Sequence, residues 1–184
     1  MVECQWCGCT PDALRGVCVR HSADEAVLRR AYQELEAEGT QKFLLHGFDG
    51  EATDFSYYIE TLSQYSEGRD LPEGMVQDTF LIAEVEGEIV GRISIRHALN
   101  DFLFNYGGHI GYMVRPAFRM NGYASEMLRQ ALQIARDIDI QQVLITCNDD
   151  NIGSIKVIEK HGGVLENKVD EDGRLLRRYW IDNS

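Results

Sequence analysis

The sequence has no long apolar run and few basic side chains for its length. No segment approaches the roughly eighteen apolar residues of a membrane-spanning helix, and the first residues lack the basic-then-apolar pattern of a signal peptide. Lys and Arg number 18 against 30 Asp and Glu, giving a net charge of −12. The clustered positive charge that binds nucleic-acid phosphates is therefore missing. We expect a cytoplasmic protein that binds neither nucleic acid nor a membrane.

The chain also lacks internal repeats, linkers and low-complexity segments. Its 184 residues, of which 44% are hydrophobic, suit one domain that buries a sizeable core. The excess of acidic side chains has two interpretations that the sequence leaves open. It can keep the protein soluble, or it can attract a cationic amine through long-range steering.

Four of the five cysteines crowd the N-terminus. The spacing of Cys4, Cys7, Cys18 and His21 resembles a zinc knuckle, in which thiolates and imidazole complete a tetrahedral site. However, the segment that contains Cys18 is also predicted to be the first strand of the domain, and a sheet would hold these side chains apart from a metal. We expect residues 1–15 to form an irregular extension with reduced thiols, with the zinc site as the alternative.

Hydrophobic periodicity predicts a mixture of helices and strands over residues 16–184. Helices are predicted to begin near Ser22, Asp54, Gly122 and Asn151, and the longest covers 122–137. Strands are predicted at 16–20, 79–85, 88–97, 107–114, 142–147, 164–169 and 175–181. The strand at 142–147 is largely apolar, which is typical of a central, mainly parallel position. The pattern indicates one mixed α/β domain.

One loop between a strand and a helix favours anion binding. Arg119, Gly122 and Ala124 stand at i, i+3 and i+5, directly before a strongly amphipathic helix. Such a loop presents backbone N–H groups and the positive end of a helix dipole. Gly122 permits close approach of the backbone, and Ala124 is too small to block it. The Lys-Ser/Thr ending of an ATP-binding loop and the three-glycine dinucleotide pattern are both absent, so we predict a pyrophosphate cradle of another kind.

The pattern Arg119-x-x-Gly122-x-Ala124 resembles the R/Q-x-x-G-x-G/A coenzyme A loop of the GNAT N-acetyltransferases. The surrounding blocks agree with that family in order and spacing over residues 78–181. These blocks are Val114-Arg115-Pro116, residues 143–147, Asn151-x-x-Ser154 and Gly162-Gly163. Residues 95–100, 107–112 and 178–181 also resemble a bacterial subgroup of predicted acetyltransferases. The resemblance implies an α/β single-domain GNAT fold over residues 16–184. Its mixed, mainly antiparallel sheet would have a central parallel pair that splays at the cofactor site, with helices on both sides.

The resemblance also implies which residues bind acetyl-CoA, the co-substrate of the family. The pyrophosphate would lie over the loop and the start of the next helix: Arg119, Met120, Asn121, Gly122, Tyr123, Ala124 and Ser125. Tyr112, Met113 and Val114 would lie at the splay, where the backbone N–H of Met113 polarises the thioester carbonyl. Asn151 would order the pantetheine arm, and it would also serve as a helix N-cap.

The sequence departs from the family at the general acid and leaves the base open. Many members have a Tyr seven residues after the Asn, but Ile158 stands there, so the role is vacant or filled from elsewhere. Tyr123 and Tyr179 are weak candidates. For the base, the candidates are His97, His109 and Glu84; histidine is suited to deprotonation near neutral pH, and a chain of waters would leave no motif.

These features predict an acetyltransferase that moves the acetyl group of acetyl-CoA to a primary amine by direct transfer. The acceptor would be a small molecule or a peptide, and a homodimer is one assembly that we consider. Two alternatives remain. One is a non-catalytic acyl-CoA-binding sensor, which the missing Tyr favours. The other is a zinc-knuckle interaction protein with a degenerate acetyltransferase domain.

Overall fold

The computed structural model describes residues 25–37, 48, 52–85 and 88–184 of the protein. The helices are α1 (Glu25–Ala37), α2 (Phe55–Ser66), α3 (Tyr123–Asp137) and α4 (Ile152–Lys160). The strands are β1 (Asp78–Val85), β2 (Glu88–Arg96), β3 (Ile110–Val114), β4 (Gln142–Asn148), β5 (Val164–Glu171) and β6 (Arg174–Asp182). Strand 16–20, the N-terminal cysteines and His21 lie outside the described residues. None of the described helices is long and apolar enough to cross a bilayer.

The described strands form two antiparallel sheets of three strands each, in the orders β1-β2-β3 and β4-β6-β5. This mixed α/β arrangement confirms the predicted fold class. The apolar strand β4 differs from the expectation of a mainly parallel neighbourhood, because its hydrogen-bonded partner is the antiparallel strand β6. Its apolar character follows from burial instead: Val143, Leu144 and Ile145 are almost fully covered.

The core has two parts, one on each face of the sheet. The larger part packs α3 and α4 against both sheets and includes the following buried side chains: Val90, Ile93, Ile95, Ile110, Met127, Leu128, Ala131, Val143, Ile145, Ile158 and Tyr179. The smaller part packs α1 and α2 against the other face through Leu28, Ala31, Phe55, Tyr58, Phe80, Ile82 and Ile89. The aromatic side chains of α2 at Phe55 and Tyr58 are therefore part of the core. Ile138 continues the apolar spacing of α3, but it lies at the C-cap of the helix and is exposed.

Strand β3 begins at Ile110, three residues later than predicted. A short π-helical turn occupies Leu103–Gly107, and Gly108 follows in a left-handed conformation with φ of +67°. A Cβ atom at Gly108 would lie only 2.6 Å from the Leu144 carbonyl oxygen. The glycine thus permits a close contact between the chain that enters β3 and the middle of β4.

Candidate active site

The loop from β3 to α3 is held by its own hydrogen bonds. A 3₁₀ turn covers Pro116–Phe118, and the Arg119 Nε donates to the Val114 carbonyl at 3.3 Å. The Asn121 side chain donates to the carbonyls of Phe118 and Arg119 at 3.2 and 3.1 Å. These bonds turn the chain sharply, and Met120 adopts a φ of +64° with its side chain 99% exposed. The side chains of Arg119 and Asn121 therefore shape the loop.

The N-terminus of α3 differs from those of α2 and α4. Asp54 and Asn151 cap α2 and α4 by accepting a backbone N–H with their side chains, at 3.1 and 3.0 Å. Gly122 is the N-cap of α3, has a φ of +82° and makes no side-chain cap bond. The first bond within α3 runs from the Glu126 N–H to the Gly122 carbonyl, so the N–H groups of the preceding turn have no acceptor inside the helix. This uncapped end suits an anion.

Ser125 extends this end of α3 toward α4. Its hydroxyl lies 2.9 Å from Nε2 of His161, the C-cap residue of α4. Burial lowers the pKa of His161, and the nearby Lys160 lowers it further. His161 was not among the predicted site residues, because 36 positions separate it from Ser125 and a lone histidine after a helix gives no sequence signal.

His109 joins the two sheets where β3 and β4 begin to separate. Its backbone N–H donates to the Leu144 carbonyl at 2.7 Å, and its Nδ1 accepts the Leu144 N–H at 3.0 Å. The side chain is 7% exposed, and burial together with the charge of Arg96 lowers its pKa to about 4. Because Nδ1 is the acceptor, the proton of the neutral ring is on Nε2. His109 is therefore poorly suited to be the base, contrary to our expectation.

Hydrogen bonds at both ends of the β2–β3 ladder determine which backbone groups of β3 face the gap toward β4. The Arg96 N–H donates to the His109 carbonyl at 2.8 Å, and the Arg115 N–H donates to the Val90 carbonyl at 2.9 Å. The register between these bonds is continuous. Backbone groups of successive strand residues point to opposite edges, so odd-numbered residues face β2 and even-numbered residues face the gap.

This alternation corrects the expected role of Met113. Met113 pairs with Arg92, and its carbonyl oxygen lies against Gly91 of β2, so its backbone N–H also points to β2. Among the predicted splay residues, those whose backbone N–H groups point into the gap are Tyr112 and Val114. The splay residues named from the sequence are thus adjacent to the gap, but the N–H groups that face it are one position away from Met113.

The other two candidate bases lie away from the gap. The His97 Nε2 is 2.8 Å from the Thr79 hydroxyl on β1, and burial lowers the pKa of His97, partly offset by Asp78. Glu84 also lies on β1, opposite Ile89 and next to a bulge. Strand β2 separates Glu84 from β3, whereas His97 directly follows β2 and its ring is bonded to β1.

The start of α4 closes the other side of the gap. Asn151 caps the helix through Ser154, as its sequence position predicted. The Tyr112 hydroxyl reaches across from β3 and donates to the Ser154 carbonyl at 3.5 Å. Ile158 is fully buried, and the Tyr179 hydroxyl donates to Glu159 at 3.1 Å. The side chain of Tyr112, which we had named only for its backbone, is thus the phenol that borders the gap.

The sequence matches the model of a known protein family. A sequence model of the acetyltransferase (GNAT) domain matches residues 10–164. The chain belongs to the GNAT acetyltransferase family. No curated protein sequence matches this GNAT protein. Among the described residues, no group of His, Cys, Asp and Glu is arranged to hold a metal ion; Cys4, Cys7, Cys18 and His21 lie outside them.

Solved GNAT structures share the fold at low identity. The ribosomal L7/L12 α-N-protein acetyltransferase RimL with coenzyme A is 20% identical with a TM-score of 0.61, and the alignment covers 91% of this chain and 94% of that one. The microcin C7 self-immunity acetyltransferase MccE with acetyl-CoA and AMP is 18% identical, with a TM-score of 0.61 and coverages of 86% and 87%. A spermidine N-acetyltransferase SpeG chimera from Vibrio cholerae and hSSAT is 12% identical, with a TM-score of 0.61 and coverages of 91% and 96%.

The contact between Ser125 and His161 gives a prediction for cofactor binding. We expect Ser125→Ala to weaken binding of coenzyme A by roughly tenfold, as for loss of one hydrogen bond to a charged group. We expect His161→Gln to weaken it by less, because glutamine can still bond to the Ser125 hydroxyl. Calorimetric titration measures both. If the two variants bind as tightly as wild type, the hydroxyl does not contact the phosphates.

Proposed function

We propose that this GNAT protein transfers the acetyl group of acetyl-CoA directly to a primary amine. The observation that supports this most strongly is the uncapped N-terminus of α3, where Gly122 has an open left-handed conformation. The pyrophosphate lies over residues 119–125, where the helix dipole and the N–H groups of Tyr123, Ala124 and Ser125 stabilise its charge. The rest of the cofactor follows the chain back toward the gap.

The pantetheine arm runs into the gap between β3 and β4 and lies beside Asn151. The backbone N–H of Tyr112 or Val114 donates to the thioester carbonyl and stabilises the oxyanion that forms when the amine attacks. No charged side chain is needed for this step, since a backbone donor held in a strand costs no reorganisation. The amine attacks from the face of the sheet that bears α1 and α2, and the thiolate leaves toward α4.

Solvent accepts the proton of the acceptor ammonium in this proposal. Among the described residues, His109 is held neutral in a backbone bond, the His97 ring is bonded to Thr79 of β1, and Glu84 is separated from β3 by strand β2. A relay of waters is then the better account, and the pH dependence of the rate is that of the substrate amine. The solved relatives include acetyltransferases of a polyamine and of a protein N-terminus, so both classes of amine are acceptors to be tested.

A substitution at His97 tests whether solvent, and not this histidine, accepts the proton of the ammonium. We expect His97→Gln to keep kcat within about twofold and to leave the pH profile unchanged, because general-base removal typically costs 100-fold or more. The measurement is the initial rate against pH on a working amine. A loss of tenfold or more, together with loss of the alkaline-rising limb, would identify His97 as the base.

Turnover distinguishes the enzyme from a sensor. The full chain is first titrated with acetyl-CoA by calorimetry and is then incubated with amines that range from polyamines to peptide N-termini, with acetylated product detected by mass spectrometry. The buried Ile158 at the position of the family's usual Tyr favours the sensor. Tight acetyl-CoA binding without any product across the panel would support the sensor, and absence of binding would contradict both. Metal analysis of the same preparation tests the zinc knuckle.

A further inference from the structure

The side chain of Tyr112 lies across the gap between the two sheets. Its hydroxyl donates to the Ser154 carbonyl in the first turn of α4, and the 3.5 Å distance is at the long limit for a hydrogen bond. Such a weak bond is readily exchanged for one to a better acceptor. The hydroxyl is therefore available to an anion that enters beside α4.

Two further observations place the Tyr112 phenol beside the gap itself. The residue is even-numbered in β3, so its backbone groups point toward β4, and its ring packs against the core on the face of α3 and α4. Cys147 of β4 is near enough that its ionised form contributes to raising the pKa of Tyr112. The phenol is therefore bordered by β3, β4 and the start of α4.

The other side chains near α4 are hydrogen-bonded elsewhere, lack a donor or are weak donors. The Tyr179 hydroxyl lies between Glu159 and Arg177, at 3.1 and 3.4 Å. Ile158 has no proton to give. Burial raises the pKa of the Cys147 thiol to about 11, and a thiol is a weak donor. In contrast to the Tyr179 hydroxyl, the Tyr112 hydroxyl is directed at the positive end of α4.

We propose that Tyr112 is a catalytic residue whose hydroxyl donates a hydrogen bond to the sulfur of coenzyme A as the thiolate leaves. This inference rests on the proposed acetyl transfer. The thioester carbonyl bonds to a backbone N–H of β3 while the sulfur, one atom further along, lies between the phenol and the N-terminus of α4. Both groups stabilise the negative charge that develops on sulfur.

The step balances without any further reactant. The amine nitrogen forms a bond to the acetyl carbon, the C–S bond breaks, and its electron pair stays on sulfur. The amine loses one proton to solvent, and the released thiolate takes one proton from solvent, so the products are the amide and free coenzyme A. Tyr112 keeps its own proton throughout, since burial raises its pKa to about 12.

This role has a specific kinetic signature. Removing one preorganised donor to a developing anion typically costs about 100-fold or somewhat more, and we expect Tyr112→Phe to lower kcat by roughly 10- to 100-fold with little change in the KM for acetyl-CoA. The pH profile should keep its shape, because a phenol that stays protonated adds no limb to it.

The thiol of bound coenzyme A provides a test that needs no acceptor. The thiolate absorbs in the ultraviolet, so the complex of the full chain is titrated with base, with the desulfo-coenzyme A complex as the blank. We expect the bound thiol to ionise about one pH unit higher in Tyr112→Phe than in wild type, a tenfold change in the thiolate fraction at a given pH. Tyr179→Phe is the matched control, because it removes a hydroxyl at the other end of α4 and should leave this value unchanged.

Each outcome of the titration decides a different question. Coenzyme A that binds with the same thiol pKa in wild type and Tyr112→Phe would overturn the role of Tyr112 while leaving the proposed acetyl transfer intact. Wild-type protein that binds no coenzyme A would overturn both. An equal rise in Tyr179→Phe would show that α4 has loosened as a whole, which also contradicts a direct bond from Tyr112.

A graded variant covers the case in which Tyr112→Phe folds poorly. Replacing Tyr112 with 2-fluorotyrosine keeps the ring and the hydroxyl and makes the hydroxyl a stronger donor, while the single fluorine, meta to the hydroxyl, leaves the phenol protonated where the thiol ionises. We expect the bound thiol to ionise at a lower pH than in wild type. An unchanged value in this well-packed variant would contradict the proposal.

Discussion

Gly122→Val should weaken binding of coenzyme A by roughly 100-fold, which corresponds to about 2.8 kcal/mol. The open space around a Cβ atom at Gly122 is the space that the proposed pyrophosphate occupies. A branched side chain there would separate the phosphates from the N–H groups of α3 and remove the bonds that the uncapped helix end supplies. Calorimetric titration with coenzyme A measures the change.

The control for Gly122→Val must share its backbone strain. Gly173, in the turn between β5 and β6, has the same φ of +82°, and a Cβ atom there also meets nothing within 4 Å. Valine at either glycine should destabilise the fold by a similar amount, about 1–2 kcal/mol, because both sites are left-handed. We expect only Gly122→Val to lose affinity. Equal affinity for coenzyme A in the two variants would contradict a pyrophosphate site at residues 119–125.

The second large effect concerns stability rather than binding. The pKa of His109 falls from 6.5 to about 4 on folding, so the unfolded chain takes up a proton first as the pH falls. The stabilisation is fully present above about pH 6.5 and is lost as the pH falls through about 4. A depression of this size corresponds to ~3 kcal/mol. Protonation at Nδ1 would also break the bond from the Leu144 N–H that holds the sheets together.

His109→Asn should remove this part of the acid sensitivity. The asparagine Oδ1 takes the place of Nδ1 as acceptor, so we expect the free energy of unfolding at neutral pH to change by only about 1 kcal/mol. Between about pH 7 and pH 4 the variant should lose ~2–3 kcal/mol less than wild type, as measured by urea denaturation. His97→Asn is the comparison, with a smaller effect because His97 is only half-buried. If the free energy of unfolding fell with pH by the same amount in wild type and His109→Asn, the neutral, buried state of the His109 ring would be contradicted.

Much of the fold and part of the site could be predicted from sequence, because those signals are local. The turn chemistry at Gly122 and the capping side chains of Asp54 and Asn151 act within four residues of themselves, and all three mark helix starts in the structure. Apolar periodicity reports which face of an element is buried, so the predicted elements that fall in the described residues lie within a few residues of those in the structure. Ile138 and the late start of β3 are exceptions, because neighbouring chain segments decide where an element ends.

The side chains near the reaction could not be assigned in the same way. The backbone N–H of Met113, the expected donor, points to β2, because the direction of a backbone N–H in a strand depends on which neighbour the strand pairs with. The residue type of His109 suits a catalytic base, but its Nδ1 accepts the Leu144 N–H from 35 positions away. The Tyr112 hydroxyl meets Ser154 across 42 positions. Sequence patterns report residue type, whereas these assignments depend on contacts between distant segments.

The sequence by itself determined that this chain is a mixed α/β domain, and it predicted the coenzyme A loop of the GNAT family at residues 119–125. These features rest on period, turn chemistry and motif spacing, which the chain encodes within short windows. Only the tertiary structure decided that the gap between β3 and β4 is faced by Tyr112 and Val114, that His109 is a structural link, and that the Tyr112 phenol reaches α4. Strand pairing and burial set those properties, since they arise only when remote segments pack together and exclude water.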